Sequence, residues 1–206
     1  MSNSYKTVSG IGIAEMTEKG SRFVGYCYPV SAEPAVEDVL AEKRKAQRDA
    51  SHHVFAYILR SGQIRCSDSG EPSGSAGSPV LHMLQQEGIE DCLIVVARWF
   101  GGTLLGMGGL IRAYSRTAKE ALLAAGPVAI RLCLDVELSC DYAAYGWVLP
   151  LIVAGGGTVD DTVFAEEVKI QFHLKEEAFN DLRMALTEKS AGKFKFNEIG
   201  RKWRQA

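Results

Sequence analysis

Neither sign of charge dominates this chain. Its 206 residues carry 23 Lys and Arg against 25 Asp and Glu, a formal net charge of -2. That balance excludes a globally basic nucleic-acid binder, so any anion site must be a local patch. A paired-cysteine framework is missing as well. Cys27, Cys66, Cys92, Cys133 and Cys140 are odd in number, and no two are spaced Cys-x-x-Cys. They read as buried thiols of a reducing compartment. No apolar run opens the chain, which argues against a signal peptide. The longest uncharged stretch, Tyr142 to Val159, contains Gly146, Pro150 and three successive glycines from Gly155. It reads as a core helix rather than a membrane span. These absences point to a cytoplasmic protein with no membrane partner.

Catalytic signatures are also absent. The glycine run after Trp99 and Phe100 does not match G-x-G-x-x-G and lacks the Gly-Lys-Ser/Thr ending of a P-loop. There is no G-x-S-x-G elbow and no His-Glu-x-x-His. No catalytic residue, metal or cofactor is named by motif.

What the sequence does contain is centred on Leu93 to Gly126. A continuous apolar run over Asp91 to Phe100 reads as a strand covered on both faces. Gly101, Gly102, Gly106, Gly108 and Gly109 follow. A helix from about Gly109 to Ala125 then places Leu110, Ile111, Tyr114, Ala118, Ala121, Leu122 and Ala125 on one side. The glycines have two accounts. Positive φ or close strand–helix packing requires them, or their N–H groups cradle a phosphate or carboxylate at a helix N-terminus. Arg98 and Arg112 flank the run, and an Arg can grip such an anion with two N–H donors.

Around this centre the chain reads in order as follows. Strand-like stretches over Lys6 to Met16 and Arg22 to Val30 flank the turn Glu18-Lys-Gly-Ser21, which suggests a hairpin. Ser31-Ala-Glu-Pro opens a helix with Glu37 and Asp38 early and Lys43, Arg44, Lys45 and Arg48 late, the order that suits the helix dipole. That basic cluster is either a solvated face or a surface for phosphates. His52 and His53 enter a strand that runs to Arg60. On a strand they point to opposite faces, which argues against one shared metal ion. A long polar loop, Ser67 to Gly77, carries Asp68, Glu71 and Ser73. Its carboxylates either join a histidine in a polar cluster capable of acid–base work or fix turns through backbone bonds. Ser78-Pro79 reads as the cap and first residue of a helix ending at Gly88.

After a boundary near Gly126 to Arg131, the order of elements is βαββαβ, the ferredoxin-like pattern. It starts with the strand Leu132 to Cys140, followed by a helix capped by Asp141, and ends with a strand over Lys193 to Ile199. The tail beyond is basic with aromatics interleaved. Lys193, Lys195, Arg201, Lys202 and Arg204 make a second candidate patch for single-stranded nucleic acid, or an edge strand with a frayed end.

Three long segments resemble the motifs of the IMPACT family, whose bacterial members are the YigZ-like proteins. They are Lys19-Gly-Ser-Arg-Phe-Val-Gly-Tyr26, Ser67-Asp-Ser-Gly-Glu-Pro-Ser-Gly-Ser-Ala-Gly77 and Arg98-Trp-Phe-Gly-Gly-Thr-Leu-Leu-Gly-Met-Gly-Gly-Leu-Ile-Arg-Ala-Tyr114. The resemblance implies an α+β protein of two domains. Residues 1–130 would be similar to domain IV of elongation factor G, and residues 131–206 would form a ferredoxin-like domain similar to its domain V. It also implies a link to the control of translation, which eukaryotic members exert through the amino-acid-starvation kinase pathway. Those members carry an accessory domain not found here, so its partner contacts do not transfer. No catalytic residues carry over. Ser69 is a departure, standing where the family more often has a second aspartate. The expected function is therefore non-catalytic and regulatory, through RNA or the ribosome. The alternatives are an enzyme for a small anionic or nucleotide-like ligand, with its site at the histidines, the loop and the glycine turn, or a protein-interaction module.

Overall fold

The computed structural model describes residues 3–205. Its first strands are β1 (Ser4–Val8), β2 (Gly12–Glu18) and β3 (Ser21–Pro29), followed by α1 (Glu33–Ala46), β4 (His52–Ile58) and β5 (Ile64–Ser67). Then come α2 (Gly77–Glu87), β6 (Cys92–Trp99) and α3 (Gly106–Ala124). The remainder is β7 (Pro127–Cys140), α4 (Tyr142–Ala154), β8 (Thr158–Phe164), β9 (Val168–Lys175), α5 (Glu176–Lys189) and β10 (Lys195–Gln205). The chain is a mixed α+β protein of two compact units. One is Tyr5–Ala129; the other comprises the chain from Ile130, with Asn3 and Ser4 joined to it.

The first unit is built on an antiparallel sheet of order β2-β3-β6-β4-β5. The central strand β6 is apolar on both sides because both faces are covered. Cys92, Ile94 and Val96 meet residues of α2 and α3, including Val80, Leu84, Leu110 and Tyr114. Leu93 and Val95 meet Val36 and Leu40 of α1. Each such side chain contributes roughly 1.5–3 kcal/mol by leaving water. The β2–β3 hairpin closes through Lys19 and Gly20, both at positive φ (48° and 80°), with Glu18 paired to Ser21. Two positive-φ residues give the turn whose twist suits a two-residue hairpin.

Two helix starts differ from the sequence reading. α2 begins at Gly77, so Ser78 lies inside it rather than capping it. The cap is non-local: the Asp68 carboxylate accepts the N–H groups of Ala76 (3.0 Å) and Gly77 (2.8 Å). α3 begins at Gly106, three residues before the expected start. Gly106, Gly108 and Gly109 therefore belong to the first turn of the helix, and only Gly101 and Gly102 remain in the turn proper.

The second unit has the expected βαββαβ order. Its strands lie β10-β7-β9-β8, all antiparallel. This is the split-βαβ, ferredoxin-like arrangement. Asp141 caps α4 as its position suggests, accepting the Ala144 N–H at 2.7 Å. Alternate residues Leu134, Val136 and Leu138 of β7 and Ile170, Phe172 and Leu174 of β9 pack with Val148, Ile152, Phe179 and Leu182 of the helices. β10 continues to Gln205, six residues past the expected end, because β7 offers partners back to Ile130. No helix among the described residues is long and apolar enough to cross a membrane.

Candidate functional site

The sequence places Arg98 at the end of β6 and Glu71 in the middle of the polar loop. The fold brings them into contact. Arg98 Nη1 donates to Glu71 Oε1 at 2.6 Å, and the two side chains are only 5% and 3% exposed. The hydroxyl of Tyr114, from α3, donates to the same oxygen at 2.7 Å. Arg98 Nη2 donates to Ser21 Oγ at 3.2 Å, and Ser21 Oγ also accepts the N–H of Gly101 at 3.2 Å. Burial pushes the Tyr114 hydroxyl well above its ordinary pKa, and the adjacent carboxylate pushes it further. A buried ion pair that receives further hydrogen bonds is a structural lock. It ties together β3, β6, α3 and the loop.

His52 and His53 project to opposite sides of β4, as strand alternation requires. His52 meets the loop: its Nδ1 lies 2.9 Å from the carbonyl oxygen of Ser69. A carbonyl can only accept, so Nδ1 carries a proton and Nε2 faces Glu71 Oε1 at 3.7 Å. His53 lies on the α1 side. Burial, followed by the nearby Arg44, lowers its pKa and favours the neutral ring.

Asp68 faces inward on its own loop. Oδ2 accepts the Gly74 N–H at 2.8 Å while Oδ1 serves the start of α2. Burial pushes its pKa up, but the three backbone donors outweigh that and hold the carboxyl below the usual range. Ser69, at φ 49°, accepts the His53 backbone N–H at 3.1 Å, and Ser75 Oγ donates to the Pro72 carbonyl at 2.6 Å. Ser73 stands exposed on the outside of the loop. The loop is thus a clasp closed by its own polar groups.

The glycine turn has a packing explanation at Gly101. A Cβ there would lie 1.9 Å from the carbonyl carbon of Gly20, so the hairpin turn and the glycine turn touch backbone to backbone. Gly102 (φ 85°) and Gly106 (φ 68°) take the left-handed conformation. Arg98 is spent on Glu71 and buried, so it does not grip an anion together with Arg112. Arg112 is exposed and lines the groove between α2 and α3.

The end of α1 comes up against the end of β6. The Ser51 N–H donates to the Arg98 carbonyl (2.7 Å), Ser51 Oγ accepts from the Phe100 N–H (3.3 Å), and Trp99 Nε1 donates to Asp49 (2.9 Å). Lys45 and Arg48 are exposed towards the end of α1, with no ion-pair partner among the described residues; Arg44, also unpaired there, lines a different cleft, with Glu33, Glu37, Phe55 and Arg65. Lys43 is not part of that surface. It pairs with Glu42 at 3.0 Å and lies over the ring of Tyr26 at 4.7 Å.

In the second unit, most of the basic tail is already neutralised. Lys202 and Arg204 pair with Asp135 at 3.1 and 2.8 Å, and Arg201 pairs with Glu176. Lys193 and Lys195 line a small cleft that also contains Asp141 and Glu167.

Comparison with known proteins accounts for this framework. The Impact N-terminal domain matches residues 19–122, which include the clasp, the Arg98–Glu71–Tyr114 lock and the glycine turn. A domain of unknown function, DUF1949, matches residues 138–193. The IMPACT family member YvyE of Bacillus subtilis is 32% identical over 200 residues, covering 96% of this chain and 92% of that protein. The chain belongs to the IMPACT family. It is of the bacterial, YigZ-like kind: the member YigZ of Escherichia coli is 34% identical over 128 residues, covering 60% of this chain and 63% of that one. A crystal structure described as that of a hypothetical protein superposes with a TM-score of 0.62 at 25% identity, covering 97% of this chain and 98% of that one.

Two members of the lock escaped the sequence reading. Tyr114 passes for a core residue, and Ser21 for a turn residue. The signal for Tyr114 is its hydroxyl on an otherwise apolar helix face, which requires a buried partner. The signal for Ser21 is absent, because its partners lie 77 and 80 residues away in sequence.

Proposed function

We propose that this IMPACT family protein is a translation-associated regulatory protein of the cytoplasm that binds RNA or the ribosome without catalysing a reaction. The observation that carries this reading is the surface where α1 ends against the glycine turn. Lys45 and Arg48 supply uncommitted cations, and the half-exposed Phe100 supplies a ring on which a base can stack. Arg22 lies over the Trp99 ring at 4.8 Å in the same neighbourhood. Cations towards the end of α1 and an exposed aromatic at the end of β6 suit a single strand better than a duplex groove, because the cations follow a backbone while bases stack. The Arg98–Glu71–Tyr114 lock serves this surface indirectly by fixing the end of β6. The family's link to translation and the expected likeness to domains IV and V of elongation factor G belong to the same proposal.

The test is a binding isotherm of labelled single-stranded oligouridine, and of purified ribosomes, across a salt series. Binding through phosphates should weaken with a log–log slope of about -0.7 per phosphate neutralised on a single strand. A Lys45→Glu/Arg48→Glu double variant should weaken binding and flatten that slope by roughly one to two contacts' worth. Absence of binding to both probes at low salt would sink the proposal.

A further inference from the structure

The groove between α2 and α3 stands apart from the surface just described. It has a volume of about 790 Å³. Pro79 and Met83 of α2 and Ile111 of α3 give it an apolar lining, with His82, Arg112 and Ser115 also on its walls. The apolar surface continues along α3. Ile111 is 37% exposed, Met107, one turn earlier, is 57% exposed, and Leu104 just before the helix is 83% exposed. Two exposed apolar side chains one turn apart on α3, with a third just before the helix, are more than scattered exposure, and such a patch marks an interaction surface.

The charges around the groove select the kind of partner. Arg116 pairs with Glu120 at 2.9 Å and Lys119 with Glu87 at 2.5 Å, so these four cancel. Arg112 has no carboxylate within ion-pair distance among the described residues, and it lies on the wall beside Ile111. A partner that fills the groove therefore needs an apolar ridge with a carboxylate beside it. The shape selects the backbone. α2 is 11 residues long, about 16 Å, so the groove between two helices accepts a third of about three turns. An apolar lining with one uncommitted guanidinium does not suit a nucleic acid, which needs several cations to track its phosphates.

We propose that the α2–α3 groove is a docking site for an amphipathic helix of another protein. Apolar residues spaced i, i+3, i+4 and i+7 on that helix rest on Ile111, Pro79 and Met107, and an acidic residue on its flank meets Arg112. This site is independent of the proposed RNA-binding surface, and the two succeed or fail separately.

The probes are two fluorescein-labelled amphipathic peptides of about four turns, identical in their apolar ridge. One carries Glu on its flanks and the other Lys. Fluorescence anisotropy with the full-length protein should show saturable binding of the Glu peptide, and binding of the Lys peptide at least about ten-fold weaker. Amide shifts should change along α2 and the first half of α3. Ile111→Glu, at a position 37% exposed, should abolish binding of the Glu peptide while leaving oligouridine binding intact. Arg112→Glu should invert the preference between the peptides. The proposal is overturned by failure of the Glu peptide to bind, by equal affinity for both peptides, or by shifts that map elsewhere. It is overturned equally if oligouridine perturbs the groove, or if self-association that Ile111→Glu abolishes shows the occupant to be a second copy of this chain.

Discussion

Arg98 and Glu71 meet at 2.6 Å with their side chains almost wholly enclosed, although 27 residues and a polar loop separate them in the chain. Neither charge has water to fall back on. Removing one partner leaves the other buried and uncompensated, which costs about 3–5 kcal/mol, whereas removing both costs far less. Arg98→Met and Glu71→Leu should each lower stability by that amount in urea unfolding, and the double variant should recover most of the loss. Tyr114→Phe removes one bond to a charged oxygen and should cost about 1.5–3 kcal/mol. Simple additivity of the Arg98 and Glu71 losses would show that the pair is not a lock.

Asp68 connects the clasp to pH. Its pKa is lower in the folded state, so the unfolded chain binds the proton more readily. The stability it contributes is present above its unfolded value, about 4, and is lost as pH falls through the lower folded value. Asp68→Asn should be less stable than the natural protein at neutral pH, because the α2 cap weakens. A cap of this kind contributes about 0.5–2 kcal/mol. The difference should shrink as pH falls below about 4, which urea midpoints measured at several acidic pH values would show. A gap that stays constant down the acid range would mean that the loss in Asp68→Asn does not come from the carboxylate's charge.

These contacts mark the limit of what the sequence could disclose. Strand β6, most of the core face of α3 and the βαββαβ order follow from local periodicity, although Ile111, expected on that face, is 37% exposed. The alternation of His52 and His53 across β4 is legible for the same reason. Partners far apart in the chain are not. Ser78 has the right chemistry to cap a helix, but α2 already starts at Gly77, and Asp68, eight and nine residues back in the loop, accepts the N–H groups of Ala76 and Gly77 instead. The basic tail gives the same lesson in reverse. Lys202 and Arg204 look available in sequence because Asp135, which neutralises them, lies 67 and 69 positions away. Arg98 and Arg112 flank one glycine run, yet one is buried in a lock and the other is turned to the α2–α3 groove.

The glycines of that run should separate by position. Gly101→Ala places a methyl group into the backbone of Gly20, where neither chain can give way, and should cost about 3 kcal/mol or more. Gly108 sits in the first turn of α3, where a methyl group would meet only the flexible end of Arg112, at 3.4 Å. Gly108→Ala should be neutral or raise stability by up to about 1 kcal/mol, since alanine favours a helix over glycine. Thermal unfolding of both variants tests this. A large loss at Gly108 would mean that its backbone carries a constraint not visible in its surroundings.

The Asp135 network offers the sharpest test of where cations are free. Burial raises the carboxyl's pKa, but Arg204 and Lys202 outweigh it and hold the group below the usual range, so it stays charged. Both cations therefore have a counter-ion before any nucleic acid arrives. Lys202 is itself 67% exposed, and its pairing contributes about 1 kcal/mol or less to stability. Lys202→Ala should leave the affinity for oligouridine within about two-fold, in contrast to Lys45→Glu/Arg48→Glu. Asp135→Asn removes the counter-ion of Lys202 and the nearer one of Arg204, which keeps Asp160 at 3.4 Å, while preserving the shape. If free charge rather than mere presence of Lys and Arg governs binding, that variant should bind oligouridine more tightly than the natural protein at low salt, with a steeper salt dependence. A Lys202→Ala variant that loses binding as severely as the α1 double variant would move the RNA-binding surface to the second unit.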